Sequence, residues 1–185
     1  MNGDQTKILD ADRIRELLTE LGRRLDERGL SAQLFVVGGA AMALAFNSRR
    51  VTRDLDGVFE PKAEVYEEAA AMAGEHGPRT TGSTTQSRGS SGSLPIEEER
   101  TSTRPGLDVG VASAEYLFAM KAAAAREDAD ADDLRFLADH LGLRDANEAL
   151  DLVNRYYSPH RLRPASQLFV EVLFDRPAPA PPRRH

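Results

Sequence analysis

The feature that most constrains the fold is an apolar segment that runs directly into two glycines. Residues 33–37 are mostly apolar, with β-branched and aromatic members, which is typical of a buried strand. Gly38 and Gly39 follow, and a run of good helix formers then extends from Ala40 to Phe46. Beyond a polar turn, residues 51–59 alternate between apolar and polar side chains and predict a second strand. The order strand, Gly-Gly turn, helix and strand predicts an α/β core.

The second predicted strand carries two aspartates, Asp54 and Asp56, two positions apart. Residues two apart on a strand point to the same face, with Cα atoms about 6.6 Å apart. Carboxylates at that separation can hold one Mg²⁺, and without a cation they repel each other. The alternative is a solvent-exposed strand edge that the two acids only keep soluble. Taken in isolation, a D-x-D pattern favours that alternative.

The Gly38–Gly39 turn changes this balance, because it lies so close to the aspartates in the chain. Glycines let backbone N–H groups approach a ligand closely, and the start of the following helix suits a phosphate group. The alternative is an ordinary turn between a strand and a helix. The short separation between the turn and the two acids favours a site for a metal ion and a phosphate.

The rest of the chain predicts a small mixed α/β sheet flanked by helices, with a helical C-terminal half. Apolar spacing indicates amphipathic helices at 10–29 and 62–73. Later segments predict a strand at 107–112, a helix from Ser113, a helix that ends at Gly142, and helices at 146–157 and 164–174. We therefore expect an α/β core over residues 1–112, a helical part over 113–175 and an unstructured tail over 176–185.

Composition limits the class of protein. Residues 78–104 hold almost no apolar side chain and predict a disordered segment. The net charge of −6 argues against a dedicated surface for duplex nucleic acid, and the absence of cysteine excludes thiolate metal sites. The chain has neither a long apolar run nor an apolar signal core, so we expect a cytoplasmic protein that does not enter a membrane.

Four later residues are further candidates for the site. Lys121 borders the apolar face of its predicted helix, where its ammonium either extends to solvent or meets an anion. Asp130 and Asp133 begin the next helix, where acids also suit the helix dipole. Asp108 is a candidate third metal carboxylate on the 107–112 strand, and an ordinary acid at the start of a strand is equally consistent with its position.

Two segments resemble a known superfamily. VVGGAAMALAFNSRRVTRDLD, residues 36–56, resembles the core motif of nucleotidyltransferases, a glycine turn followed by D-x-D on the next strand. LDVGVASAEYLFAMKAAAAREDADADDLRFLADHLG, residues 107–142, resembles the later part of AbiEii-like toxin nucleotidyltransferases. In that family a helix lysine precedes an R-D-x-x-D-L-like element, which here has an altered spacing. The resemblance covers roughly residues 30–76 and 106–175.

The resemblance implies transfer of a nucleoside monophosphate from an NTP to an acceptor, with Mg²⁺ as the cofactor and pyrophosphate as the product. The residues that would hold Mg²⁺ are Asp54 and Asp56, with Asp108 as the further candidate. Contacts to the nucleotide would come from Gly38, Gly39, Thr52 and Lys121, with Lys121 on the triphosphate. The remaining acid would be Asp133 or, in second place, Asp130. An AbiEii-like toxin also implies an RNA acceptor, often a tRNA end, or a protein acceptor, and an antitoxin partner.

Residues 80–91, TTGSTTQSRGSS, depart from the family, whose members carry a segment close to DDWLNDAVKGFL. In a shifted reading frame, the first two bases of each present codon become the last two bases of a new codon. Read in that frame, codons for TTGSTTQSRGSS can encode DDWLNDAVKGFL. We therefore hypothesise a local frameshift that is restored near Gly92. Two other interpretations stay open: a catalytically inactive relative that binds nucleotide or a partner, and a small α/β scaffold with an acidic strand.

Overall fold

A computed structural model describes residues 8–46, 51–52, 54–76, 98–158 and 162–175. The chain divides into two compact units, Met1–Ser113 and Ala114–His185. Over the described residues it contains one four-stranded mixed sheet and seven α-helices, and most of these residues are helical. The expected α/β class is therefore confirmed at this coarse level.

The sheet of the first unit consists of β1 (Ala32–Val36), β2 (Gly57–Glu60), β3 (Glu98–Arg104) and β4 (Leu107–Ala112) in the order β2-β1-β4-β3. The central strands β1 and β4 run parallel, and both edge strands pair antiparallel to their neighbours. Alternate residues of β1 and most residues of β4 are buried, as expected for central strands covered by helices. The C-terminal end of β1 leads directly into the Gly38–Gly39 turn.

Three α-helices and one π-helix belong to the same unit. They are α1 (Ala11–Glu27), α2 (Gly38–Ala41), the π-helix Met42–Phe46 and α3 (Lys62–His76). Asp10 caps α1, because its carboxylate accepts a hydrogen bond from the Arg13 N–H at 2.8 Å. The apolar face of α1 is buried at Ile14, Leu18, Leu21 and Leu25, as its spacing predicted.

The outer face of α1 carries a group of ion pairs. Glu20 accepts hydrogen bonds from Arg23 and Arg24 at distances between 2.7 and 3.0 Å. These hydrogen bonds hold the pKa of the Glu20 carboxyl at about 2, well below its ordinary value. Because the carboxyl is partly exposed, the pairs add only modestly to the stability of the helix.

The prediction of disorder over 78–104 is wrong for its last seven residues, which form β3. This strand lies at an edge of the sheet and pairs only with β4. Its residues 98–104 are all charged or hydroxylated, and backbone hydrogen bonds hold such a strand without apolar side chains. The earlier part of the predicted segment lies outside the described residues.

The predicted strand over 51–59 is also wrong over residues 51–52 and 54–56, which do not belong to β2. β2 begins at Gly57, which pairs with Val36, the last residue of β1. Beyond Val36 the main chain turns into α2, so the β1–β2 ladder ends at the pair of Val36 and Gly57. Thr52 instead forms an isolated bridge to Leu9, with N···O distances of 2.7 and 2.9 Å.

The second unit contains α4 (Ala114–Ala124), α5 (Glu127–Leu141), α6 (Ala146–Tyr156) and α7 (Pro164–Asp175). Its buried centre includes Leu117, Phe118, Leu134, Leu137 and Leu152. Gly142 ends α5 with a left-handed φ of 68°, and the Leu143 N–H donates to the Ala138 carbonyl at 2.9 Å. No helix among the described residues is long and apolar enough to cross a membrane.

Candidate functional site

One group of candidate residues lies at the turn between β1 and α2. Gly38 has a φ of +66°, in the left-handed region that favours glycine. A Cβ at Gly38 would lie 3.1 Å from Oδ2 of Asp56, so the missing side chain leaves room for that carboxylate. The Val37 N–H donates to the Asp56 carbonyl at 3.0 Å, which fixes the backbone of Asp56 next to the turn. Two of the predicted residues, Gly38 and Asp56, are therefore brought together.

Gly39 and Thr52 form the second contact of this turn. A Cβ at Gly39 would lie 2.8 Å from Oγ1 of Thr52, so only glycine allows this approach. The Thr52 hydroxyl donates to the Asp54 carbonyl at 3.1 Å and lies 3.4 Å from the Asp54 N–H. Thr52 thus lies beside Gly39, and its hydroxyl bonds to the chain and orients the backbone of Asp54.

Asp54 and Asp56 precede β2 rather than lying on it. Asp54 is exposed and Asp56 is half-buried against the glycine turn. The strand alternation that predicted a shared face does not apply here. The end of the β1–β2 ladder and the hydrogen bond from Val37 position Asp56 instead, and the hydroxyl of Thr52 positions the backbone of Asp54.

Asp108 is not brought to this pair. It lies opposite Gln33 near the start of β1, whereas Asp56 bonds to Val37 just past the end of that strand. Gln33 and Val37 are four residues apart, which is about 13 Å at the rise of an extended chain. Ligands of one Mg²⁺ lie about 2 Å from the ion, so Asp108 is too distant to share an ion with Asp56.

Among the described parts of the chain, no group of three or more His, Asp or Glu residues is arranged to hold a metal ion. The donor chemistry of the smaller set nevertheless fits Mg²⁺. This ion is commonly bound by one or two carboxylates together with water and substrate phosphate. Asp54 and Asp56 supply such a pair beside a turn that leaves space around the Asp56 carboxylate.

The second unit contains a buried ionic cluster around Lys121. Nζ of Lys121 donates a hydrogen bond to Oδ1 of Asp130 at 2.6 Å and lies 2.9 Å from Oδ2 of Asp133. The three side chains are 4%, 3% and 5% exposed, so the whole contact is removed from solvent. The ammonium of Lys121 therefore contacts two carboxylates. Of the two surroundings predicted for it, solvent or an anion, the structure has the anion, and Asp130 and Asp133 of the same chain provide it.

The turn between α4 and α5 produces this arrangement. Ala125 has a left-handed φ of 51°, and its N–H donates to the carbonyls of Lys121 and Ala122. The chain then reverses into α5, whose first turns carry the two acids back towards the end of α4. Asp130 and Asp133, three residues apart, lie on one face of α5 and meet Lys121 together.

The two acids differ in their contacts. Oδ2 of Asp130 accepts a hydrogen bond from Nε of Arg126 at 3.0 Å, so each of its oxygens contacts a cation. Asp133 meets this cluster through Nζ of Lys121. Asp130 therefore joins Arg126 to Lys121. Sequence reasoning missed the contact between Arg126 and Asp130, although their spacing of four on a helix start indicated it.

Comparison with known proteins adds no relative: no protein family, no curated protein and no solved structure matches this chain.

Proposed function

We propose that the protein is a Mg²⁺-dependent nucleotidyltransferase of the AbiEii-like toxin type. It would transfer a nucleoside monophosphate from an NTP to an acceptor and release pyrophosphate. The observation that carries the proposal is the Asp56 carboxylate beside the left-handed Gly38, at the end of a buried strand. A glycine turn next to a carboxylate pair is the arrangement that the resemblance leads us to expect.

The first unit would supply the phosphate and metal contacts. Asp54 and Asp56 would hold Mg²⁺, which, when bound, offsets the charge of the phosphates. Gly38 and Gly39 lack side chains, so the phosphate oxygens could approach their backbone N–H groups. Thr52 supports this contact through its bonds to the backbone of Asp54, and we assign it a positioning role.

The resemblance also assigns roles in the reaction to Lys121 and Asp133. Lys121 is enclosed by Asp130 and Asp133, so contact with a triphosphate requires Nζ to leave at least one of these carboxylates. The same observation favours a second candidate function. A relative whose lysine stays paired would bind nucleotide or a partner protein without catalysing transfer.

The acceptor and the partner follow from the family resemblance. An RNA, such as a tRNA end, or a protein would receive the nucleotide, and an antitoxin protein would silence the activity. The net charge of −6 argues against a broad basic surface for RNA. A protein acceptor therefore stays part of the proposal. A neighbouring gene for an antitoxin, whose product suppresses toxicity on co-expression, would support this assignment.

The experiment is transfer of radiolabel from each of the four α-labelled NTPs to total RNA and to total protein, with and without Mg²⁺. Mg²⁺-dependent labelling of either acceptor pool supports the enzyme. NTP binding without labelling supports the inactive binding relative, and neither binding nor labelling supports the scaffold. Thr52→Val serves as a probe of positioning, because it removes the hydroxyl that holds Asp54 and keeps the shape of the side chain.

A further inference from the structure

Arg126 differs from the other arginines whose ion pairs are described. Its Nε donates to Asp130, a carboxylate that is 3% exposed, while the arginine side chain itself is 68% exposed. The arginines of α1, by contrast, pair with acids on the helix surface. Arg126 is therefore anchored on a buried group although most of its side chain lies in water.

The hydrogen bond from Nε of Arg126 to Asp130 determines which N–H groups of the guanidinium are left for a ligand. A guanidinium has five N–H donors in one plane, and Nε lies on the edge nearest the aliphatic stem. The two terminal nitrogens of Arg126 make no hydrogen bond or ion pair within the described part of the chain. With Nε held inward by Asp130, the terminal nitrogens form an outward fork of the kind that binds a phosphate oxygen pair.

The charge around Arg126 shows that such binding would depend on directed donors. The cluster of Lys121, Arg126, Asp130 and Asp133 is formally neutral, with two cations and two carboxylates. Glu127 and Asp128 follow Arg126 in the sequence and make the segment acidic. A diffuse attraction for anions is therefore absent, and an anion bound here must be held by the oriented N–H groups.

We propose that Arg126 is a phosphate-binding residue whose guanidinium is positioned by Asp130. The ligand is a phosphate oxyanion, either in the polyphosphate of an NTP or in the phosphodiester of a single-stranded RNA. The choice of ligand rests on the proposed nucleotidyl transfer, whereas the anchored geometry of Arg126 does not. The Asp130 carboxylate contacts both Arg126 and Lys121. A phosphate bound at Arg126 would therefore be linked to the buried lysine through Arg126 and Asp130.

The test measures binding without turnover. Calorimetric titration uses the full chain at 50 mM NaCl without Mg²⁺, with inorganic tripolyphosphate in one arm and a 12-nucleotide single-stranded RNA in the other. Arg126→Gln should weaken binding in at least one arm about ten-fold, the effect of losing one charge-assisted contact. Arg126→Lys should recover only part of this loss, because an ammonium keeps the charge but cannot form the fork.

The matched control is Arg155→Gln. Arg155 is an exposed arginine of the same unit, and it has no hydrogen-bond or ion-pair partner among the described residues. Arg155→Gln should change binding less than two-fold in either arm. The arm that responds to Arg126→Gln identifies the source of the phosphate. Unchanged binding in both arms, or an equal loss for Arg155→Gln, would overturn the proposal.

A second readout examines the anchor itself. In ¹⁵N-labelled protein, the Nε–H signal that disappears in Arg126→Gln should exchange with water more slowly than the corresponding signal of Arg155. Exchange at the same rate would show that Asp130 does not hold the guanidinium. If nucleotidyl transfer is absent but Arg126-dependent binding persists, the proposed function fails and this inference stands. If nucleotidyl transfer occurs but binding does not depend on Arg126, the proposed function stands and this inference fails.

Discussion

Replacing Lys121 by methionine tests the buried cluster most sharply. Methionine has a similar length and no charge, so the change removes the cation from between Asp130 and Asp133 and largely keeps the packing. In the native protein Nζ contacts the two carboxylates at 2.6 and 2.9 Å, and at most 5% of any of the three side chains is exposed. Loss of the lysine leaves two buried carboxylates close to each other.

The expected loss of stability follows from this burial. Removing one partner of a buried ion pair costs about 3–5 kcal/mol, because the remaining charge stays desolvated. Arg126 still contacts Asp130 in the variant, which places the expected loss near the lower end, at about 3 kcal/mol. For a chain of this size, that corresponds to a fall in melting temperature of roughly 6–12 °C.

The assay is urea denaturation of the full chain followed by circular dichroism, with a thermal melt as the second measurement. Asp132→Asn is the control: Asp132 is exposed, and its neutralisation should change stability by less than about 0.5 kcal/mol. The triple variant Lys121→Met/Asp130→Asn/Asp133→Asn should recover most of the loss, because it removes all three charges together. A change below about 1 kcal/mol for Lys121→Met, or a triple variant no more stable than the single one, would refute the reasoning.

Three further predictions concern other parts of the chain. Gly38→Ala and Gly29→Ala should each cost about 1–2 kcal/mol in urea denaturation, since both glycines have a left-handed φ. Only Gly38→Ala should also lower nucleotide transfer, because its Cβ would meet Asp56 whereas a Cβ at Gly29 meets nothing within 4 Å; equal transfer by both variants would contradict this. The Glu20 carboxyl should titrate at about pH 2 by carbon-detected NMR, because the hydrogen bonds from its two arginines lower its pKa. Its small stabilising contribution should be fully present above about pH 4.5 and lost as the pH falls through about 2, and a normal titration midpoint would disprove it. Finally, sequencing the gene across residues 80–91 should show an alternate frame that encodes an apolar peptide close to DDWLNDAVKGFL, and any other peptide there rules out the frameshift.

Periodic apolar patterns made much of the fold predictable. Apolar spacing and turn residues predicted helix α1 and the two central strands. They also predicted the end of α5 at Gly142 and the end of β4 at Ala112. These elements bury one face or both, so their sequences carry a strong signal. Strand β3 carried none, because an edge strand held by backbone hydrogen bonds needs no apolar side chains.

The candidate site was predictable in its residue types and less so in its geometry. The sequence placed the glycine turn and the two aspartates a short distance apart in the chain, and in the structure Gly38 and Asp56 lie in contact range. It did not indicate that the Thr52 hydroxyl would bond to the backbone of Asp54, two residues further along the chain. The partners of Lys121 depended on the reversal at Ala125, a residue type that rarely adopts a left-handed φ.

The most direct test of the central claim is nucleotide transfer by a matched set of aspartate variants at equal protein concentration. We predict that Asp54→Asn and Asp56→Asn each lower Mg²⁺-dependent transfer of labelled nucleotide by at least about 100-fold, as expected when charge stabilisation of the reacting phosphate is removed. Asp108→Asn, which removes an exposed acid about 13 Å along the sheet from the site, should leave transfer within about two-fold of the native rate. Native rates for Asp54→Asn and Asp56→Asn, or an equal loss for Asp108→Asn, would contradict the account.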